Sequence, residues 1–237
     1  RDYQHDNLHR FDYTPADAEA FHDAVEMCVK PLALSIHKKH CEKLCLDIAD
    51  YSPWDTSGEP EGQSPLKPFN AGEELTAKAI DIFSILKPEF GQNLKAMDQN
   101  NLFDLDSRKG KSPGGYNYPL EVTGMPFIFM NAAGTQRDVA TMMHEGGHAM
   151  HTFLCNEEPL VQYRETPSEM AETASMSMEL MTSPYWSKYY NKEDHIRARR
   201  EHLEGIITFF PWCATIDAMQ HWVYLNPEHT IEERDSY

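Results

Sequence analysis

In the stretch TMMHEGGHAMH (Thr141–His151), two histidines and a glutamate stand at helical spacing. At about 100° per residue, His148 lies roughly 40° from His144 and one turn along, so both imidazoles project from one side of a helix. Two ligands on one rigid element suit a tetrahedral metal. Glu145, at about 100°, flanks the pair, where a carboxylate reaches a metal-bound water without ligating the metal. His151, near roughly 340°, falls on the same face, either as a support for ligands or substrate or as a packing histidine. Val139, Met142, Ala149, Met150 and Phe153 gather on the opposite side. This helix is expected to bury one face in a core and to present the other to chemistry.

Two glycines interrupt the histidines, and each costs about 1 kcal/mol relative to alanine in a helix interior. Gly146 falls in the core-packing face, where a missing side chain lets another element approach closely. Gly147 borders the metal face on the side away from Glu145, the space that a third ligand from another helix needs. Candidates for that ligand are Glu165, Glu169, Glu172 and Glu179. Glu165 precedes a helix cap, and Glu169 stands where a capping box spends its carboxylate on the backbone. Glu172 is the choice, with Glu179 its rival two turns on. The metzincin pattern needs a glycine at position 151 and a histidine at 154; the chain has His151 and Leu154, so that class is excluded.

The elements that must hold these residues announce themselves by their caps. TPAD from Thr14 and TPSE from Thr166 each place a capping threonine, a proline at the first helical position and an acid at the third. Thr135 with Asp138 and Asn70 with Glu73 are weaker versions. Asp138 either orients a ligand or simply serves the helix N-terminus. Helices are predicted over 15–45, kinked at Pro31, and over 71–86, 136–154, 167–181 and 192–222. Met170, Ala174 and Met181 are expected to form the apolar back of the fourth. Strand signal concentrates in PFIFMN (Pro126–Asn131), after the glycine-rich KSPGGYNYPLEVTG. Residues 51–70 form a connection too long to be idle, which must either pack or act. The expected fold is mainly α, a zincin-type helical catalytic core with a small β-sheet beside the HEGGH helix, as a single domain over 1–237.

The chain has 237 residues, 41% of them hydrophobic, and a formal charge of −17. That is enough for one large core, and the negative charge argues against a nucleic-acid partner. The best apolar stretch, IITFF, stops at Pro211, far short of a membrane span. Five cysteines cannot all pair and lie in apparent helices, which favours a reduced, cytoplasmic setting. His37, Cys41 and Cys45 have helical spacing but no matching pair elsewhere, and they are read as one side of a lysine-rich helix.

MMHEGGHAMH, followed by the glutamate of MAETAS, resembles the thimet oligopeptidase and oligoendopeptidase F family of zinc peptidases. RKGKSPGGYNYPLEVTGMPFIFMNAAGTQRDVAT, together with YSPWD and IDAMQHW, is similar to segments of a bacterial oligoendopeptidase F-like branch, so the resemblance covers most of the chain. It implies one zinc per chain, held by His144, His148 and Glu172, with Glu145 as general base in the attack of zinc-bound water. It further implies a helical bowl around a channel that accepts short unstructured peptides. Gly114, Gly115, Tyr116, Phe127, Ile128, Phe129 and His151 would contact substrate, with the PFIFMN strand adding the peptide at its edge. The family's tyrosine-rich motif, which follows the metal site, is missing, and SPYWSKYY comes too soon after Glu172 to replace it. The chain is therefore expected to be the central part of a longer enzyme. Two alternatives stand beside this reading: a metallocarboxypeptidase resembling carboxypeptidase Taq, with Arg164 as the cation for a free carboxylate, and a catalytically weak peptide-binding remnant.

Overall fold

Proline placement decides where several helices begin and break. The computed structural model describes residues 12–237, and the chain divides into two compact units, one formed by the segment up to Ser64 together with Arg200–Tyr237, the other by Pro65–Arg199.

In the first unit, α1 (Pro15–Ala24) starts at a capping box between Thr14 and Asp17 and continues through a π-helical turn, Val25–Val29, into α2 (Lys30–Leu44). The expected kink at Pro31 takes this form. Proline has no amide for the carbonyl one turn back, and the wider turn absorbs the defect. His22 and His221 both approach the Asp217 carboxylate, at 2.7 and 3.5 Å.

In the second unit, α3 (Gly72–Leu86) and α4 (Pro88–Gln99) meet at Lys87, whose extended backbone is the conformation that a following proline demands. No helix was expected over 88–99. Its apolar stripe, Phe90, Leu94 and Met97, is narrow, and close packing sustains it: a Cβ on Gly91 would lie 1.8 Å from Ser84 Oγ. Three strands follow, β1 (Phe103–Asp106), β2 (Tyr116–Leu120) and β3 (Met125–Ala132), in the order β1-β3-β2. β1 runs parallel to β3 and β2 antiparallel to it. Alternate residues of β3, Pro126, Ile128, Met130 and Ala132, are buried.

α5 (Gln136–Cys155) packs on this sheet, and α6 (Ser168–Thr182) packs on α5. Thr135 and Asp138 form the expected capping box, and Asp138 also accepts from the Ala133 amide at 2.9 Å, so its carboxylate is spent on the backbone. Val139, Met142, Ala149 and Met150 are buried as the α5 pattern predicts, in one core with Leu75, Phe83 and Trp186. Two expectations about α6 fail. Pro167, not Thr166, is its N-cap, since the Pro167 carbonyl accepts the first helical amides. Its buried face is Ser175, Met178 and Thr182, whereas Met170 and Met181 are exposed. The face turned to α5 is the one on which Ala174, Ser175 and Met178 crowd Gly147. α7 (Lys192–Leu225) gives its first turns to this unit and the remainder to the other. The connection 51–70 does pack: Leu66 and Phe69 join the core of the second unit. Among the described residues, no helix is long and apolar enough to cross a membrane.

Candidate metal centre

α5 presents His144 and His148 one turn apart, ring centroids 4.8 Å from each other and planes nearly perpendicular. α6 brings Glu172 to the pair: its Oε2 lies 3.2 Å from His144 Nε2 and 3.6 Å from His148 Nε2. One ligand atom from each of these three residues falls within 4.8 Å of the others, the one such group among the described residues. Two imidazoles and a carboxylate converging from two rigid helices are a donor set that fits zinc with a fourth position open.

The glycines permit this meeting. A Cβ on Gly147 would stand 2.7 Å from Ser175 Cα and 3.0 Å from the Ala174 carbonyl, so the missing side chain is the space that the α6 backbone occupies. A Cβ on Gly146 would stand 2.6 Å from the tip of the Phe83 ring in the core. Both crowded neighbours agree with the roles expected from the helical wheel.

Behind the ligands lies a further layer. Glu179 Oε1 accepts from His144 Nδ1 at 2.7 Å. A carboxylate at that nitrogen fixes the proton on Nδ1 and leaves Nε2 as the lone-pair donor facing Glu172. Glu179 therefore stands on the far side of the His144 ring from the ligand cluster. The buried Ser175 hydroxyl lies 2.9 Å from Glu172 Oε2 and 3.0 Å from the Glu172 carbonyl, which steadies that carboxylate. Burial pulls the His144 pKa down, but the Glu179 hydrogen bond and charge reverse the balance and leave it raised. Burial lowers that of His148, against the opposing pull of Glu172.

Glu145 is buried, and its Oε2 has no hydrogen-bond partner. Burial pushes this carboxyl up to about 7, opposed by the His144 imidazole and aided by the Glu172 charge. A carboxyl poised near neutrality, with one oxygen left without a partner in a cleft, has the character of a proton-transfer group. The cleft holds about 850 Å³, with β2 along one side and His144, Glu145, His148, His151 and Thr152 of α5 along another.

Of the residues expected to contact substrate, Gly115, Tyr116 and His151 line this cleft; Gly114, Phe127, Ile128 and Phe129 do not. Gly114 serves the turn before β2, with φ of 101° and its carbonyl accepting from Asn131 Nδ2. Ile128 is in the core, and Phe129 lies under Tyr116, ring centroids 4.9 Å apart. Edge addition at PFIFMN is also overturned, because β3 is the central strand with β1 and β2 on its two sides. β1 and β2 are the edge strands, and β2 is the one that lies along the cleft. Its signal was present in YNYPL, where proline within an aromatic alternation marks an edge strand. Arg164 lines the cleft as well, but its guanidinium is engaged by the Glu121 carboxylate at 3.0 Å, Asn156 Oδ1 at 3.3 Å and the Glu158 carbonyl at 2.9 Å. A cation so neutralised is poorly suited to hold a free substrate carboxylate.

α5 thus offers two histidines and a glutamate, α6 a carboxylate that meets them, and β2 an edge strand along the same cleft. The profile of Peptidase family M3 matches residues 1–237, and the chain belongs to that family. It is 30% identical over 151 residues to the chromosomal oligoendopeptidase F of Lactococcus lactis subsp. cremoris, a match covering 64% of this chain and 24% of that protein. Among solved structures it is similar to PZ peptidase A with inhibitor 2, with a TM-score of 0.89, 31% identity and coverage of 97% of this chain and 40% of that one. A protein from Bacillus anthracis str. Ames, provisionally named oligoendopeptidase F, superposes with a TM-score of 0.90 at 28% identity, covering 98% of this chain and 42% of that one. The chain thus spans about a quarter of the curated relative and two fifths of the solved ones.

Proposed function

We propose that this chain is the metal-binding core of a zinc-dependent oligoendopeptidase that hydrolyses internal bonds of short unstructured peptides. The observation that carries the reading is the convergence of His144, His148 and Glu172 beside the buried, unpartnered Glu145 Oε2. Membership of family M3 and the likeness to oligoendopeptidases support it.

Zinc held by His144, His148 and Glu172 would supply Lewis acidity, polarising a carbonyl and lowering the pKa of water toward neutrality. Glu145 takes the proton of the attacking water at Oε2 and delivers it to the nitrogen of the departing amine. Glu179 holds the proton on His144 Nδ1, and Ser175 holds the Glu172 carboxylate in place. The β2 edge aligns the peptide main chain along the cleft, a mode tolerant of side-chain sequence. A folded protein cannot offer an extended segment to that edge, which explains the preference for short peptides.

The test is elemental analysis together with a peptidase assay on four variants. His144→Ala, His148→Ala and Glu172→Gln are expected to lose most bound zinc. Glu145→Gln is expected to keep a full equivalent and lose turnover. Retention of zinc by Glu172→Gln would remove it from the ligand set.

A further inference from the structure

The register of the sheet determines which main-chain groups of β2 face the cleft. Pro119 stands opposite Pro126. Neither has an N–H, so this pair cannot exchange main-chain hydrogen bonds. Two residues earlier, Asn117 stands opposite Ile128, whose N–H donates to the Leu102 carbonyl at 3.0 Å, away from β2. This too is a non-hydrogen-bonded pair. In an antiparallel ladder such residues turn both main-chain groups outward, and the Asn117 N–H is indeed directed to the Glu145 carboxylate. The free edge therefore displays two carbonyls, of Asn117 and Pro119, and one N–H, at Asn117, which already has an acceptor within reach. Pro119 adds none.

We infer that this edge is an acceptor track, which selects a peptide through two of its own amide N–H groups, two residues apart, and asks nothing of the carbonyl at the Pro119 station. The inference rests on the peptidase reading for placing a peptide in the cleft. It holds whichever way the peptide runs, because parallel and antiparallel partners both give an N–H to each outward carbonyl. Proline or an N-alkylated residue is disfavoured at both peptide positions, and the residue between them is indifferent. Pro119 is thus a specificity-determining residue: any other amino acid there would supply an N–H and lengthen the grip by one hydrogen bond.

The experiment measures binding of a labelled, unstructured peptide to the zinc-loaded Glu145→Gln protein by fluorescence anisotropy, with N-methyl groups scanned along the peptide. Two positions, i and i+2, should each weaken binding roughly three- to tenfold, the range for one main-chain hydrogen bond. Adding Pro119→Ala should tighten binding by a similar factor, confined to peptides that reach the second station, and the new Ala amide should gain hydrogen-exchange protection with peptide. A flat scan, losses at adjacent residues, or an unchanged affinity in Pro119→Ala would overturn the inference. Cleavage of the unmodified peptide by the wild-type protein separates the two readings. Cleavage with a flat binding scan overturns the acceptor track and leaves the peptidase reading intact. The i, i+2 pattern without cleavage does the reverse, and neither binding nor cleavage overturns both.

Discussion

At the scale of single residues, local spacing and long-range choice separate cleanly. That His144 and His148 share a face, with Glu145 beside them, follows from the helical repeat and was legible in eleven consecutive residues. The competition between Glu172 and Glu179 was not, because both lie on one side of α6 and only the approach of α5 sorts them. Glu172 meets the Nε2 atoms of both histidines, and Glu179 meets Nδ1 of His144 alone. Glu179→Gln should therefore weaken zinc binding roughly ten- to a hundredfold without abolishing it, the usual effect of removing a group that orients a ligand. A chelator-competition titration reads this directly. Unchanged affinity would remove Glu179 from the zinc site's support, and complete loss would make it a ligand.

At the scale of elements, two predictions concern the supports on either side of the cleft. Gly147→Ala gains about 1 kcal/mol of helix propensity, but its Cβ meets the α6 backbone, an overpacking that typically costs about 1–3 kcal/mol. It should lower both the melting temperature and the zinc affinity, because relief requires α6, and Glu172 with it, to move. Gly146→Ala meets a core phenylalanine instead and should lower the melting temperature while zinc affinity persists. Equal zinc affinity in the two variants would mean that α6 is not the element displaced. The other support is the loop between β1 and β2. Lys111 Nζ is almost wholly buried, bonded to the Asp104 carboxylate at 3.0 Å and to the Asp104 and Asp106 carbonyls, each at 2.9 Å, and stacked over Phe129. The Arg108 hydrogen bond, with Lys111 behind it and burial opposing, holds Asp104 down to about 2 from its ordinary 3.8. A carboxyl depressed on folding contributes stability above its unfolded pKa and loses it as pH falls through the folded one. Asp104→Asn should thus be less stable than wild type at neutral pH, with the gap closing between about pH 4 and pH 2. Thermal melts of both proteins across that interval test it, and a gap independent of pH would refute the charge-based account. The helices bounded by caps and prolines were readable one by one; the face that α6 buries and the existence of α4 were not, since both depend on a neighbour's shape.

At the scale of the whole molecule, the proposed zinc site would draw its ligands from both α5 and α6, so that zinc binding and folding of Pro65–Arg199 would be linked. Each tenfold rise in free zinc above the dissociation constant should stabilise the folded chain by about 1.4 kcal/mol. Calorimetric melts in zinc buffers should show a melting temperature that climbs with free zinc and falls with chelator; a constant value would mean that the site does not bind the metal in the native state. By itself, the sequence determined what can be reached within one or two helical turns: the histidine pair, the neighbouring Glu145, the two glycines and the capped starts of α1 and α5. It also made plain, through PFIFMN, that a strand precedes the metal helix. Only the tertiary structure decided that this strand lies in the middle of its sheet and that β2 is the edge strand along the cleft. Alternation along a strand records which face is buried; it carries no information on which neighbours take up the two edges. That depends on where β1 and β2 come to lie, a pairing set by the folded chain as a whole and absent from any local period.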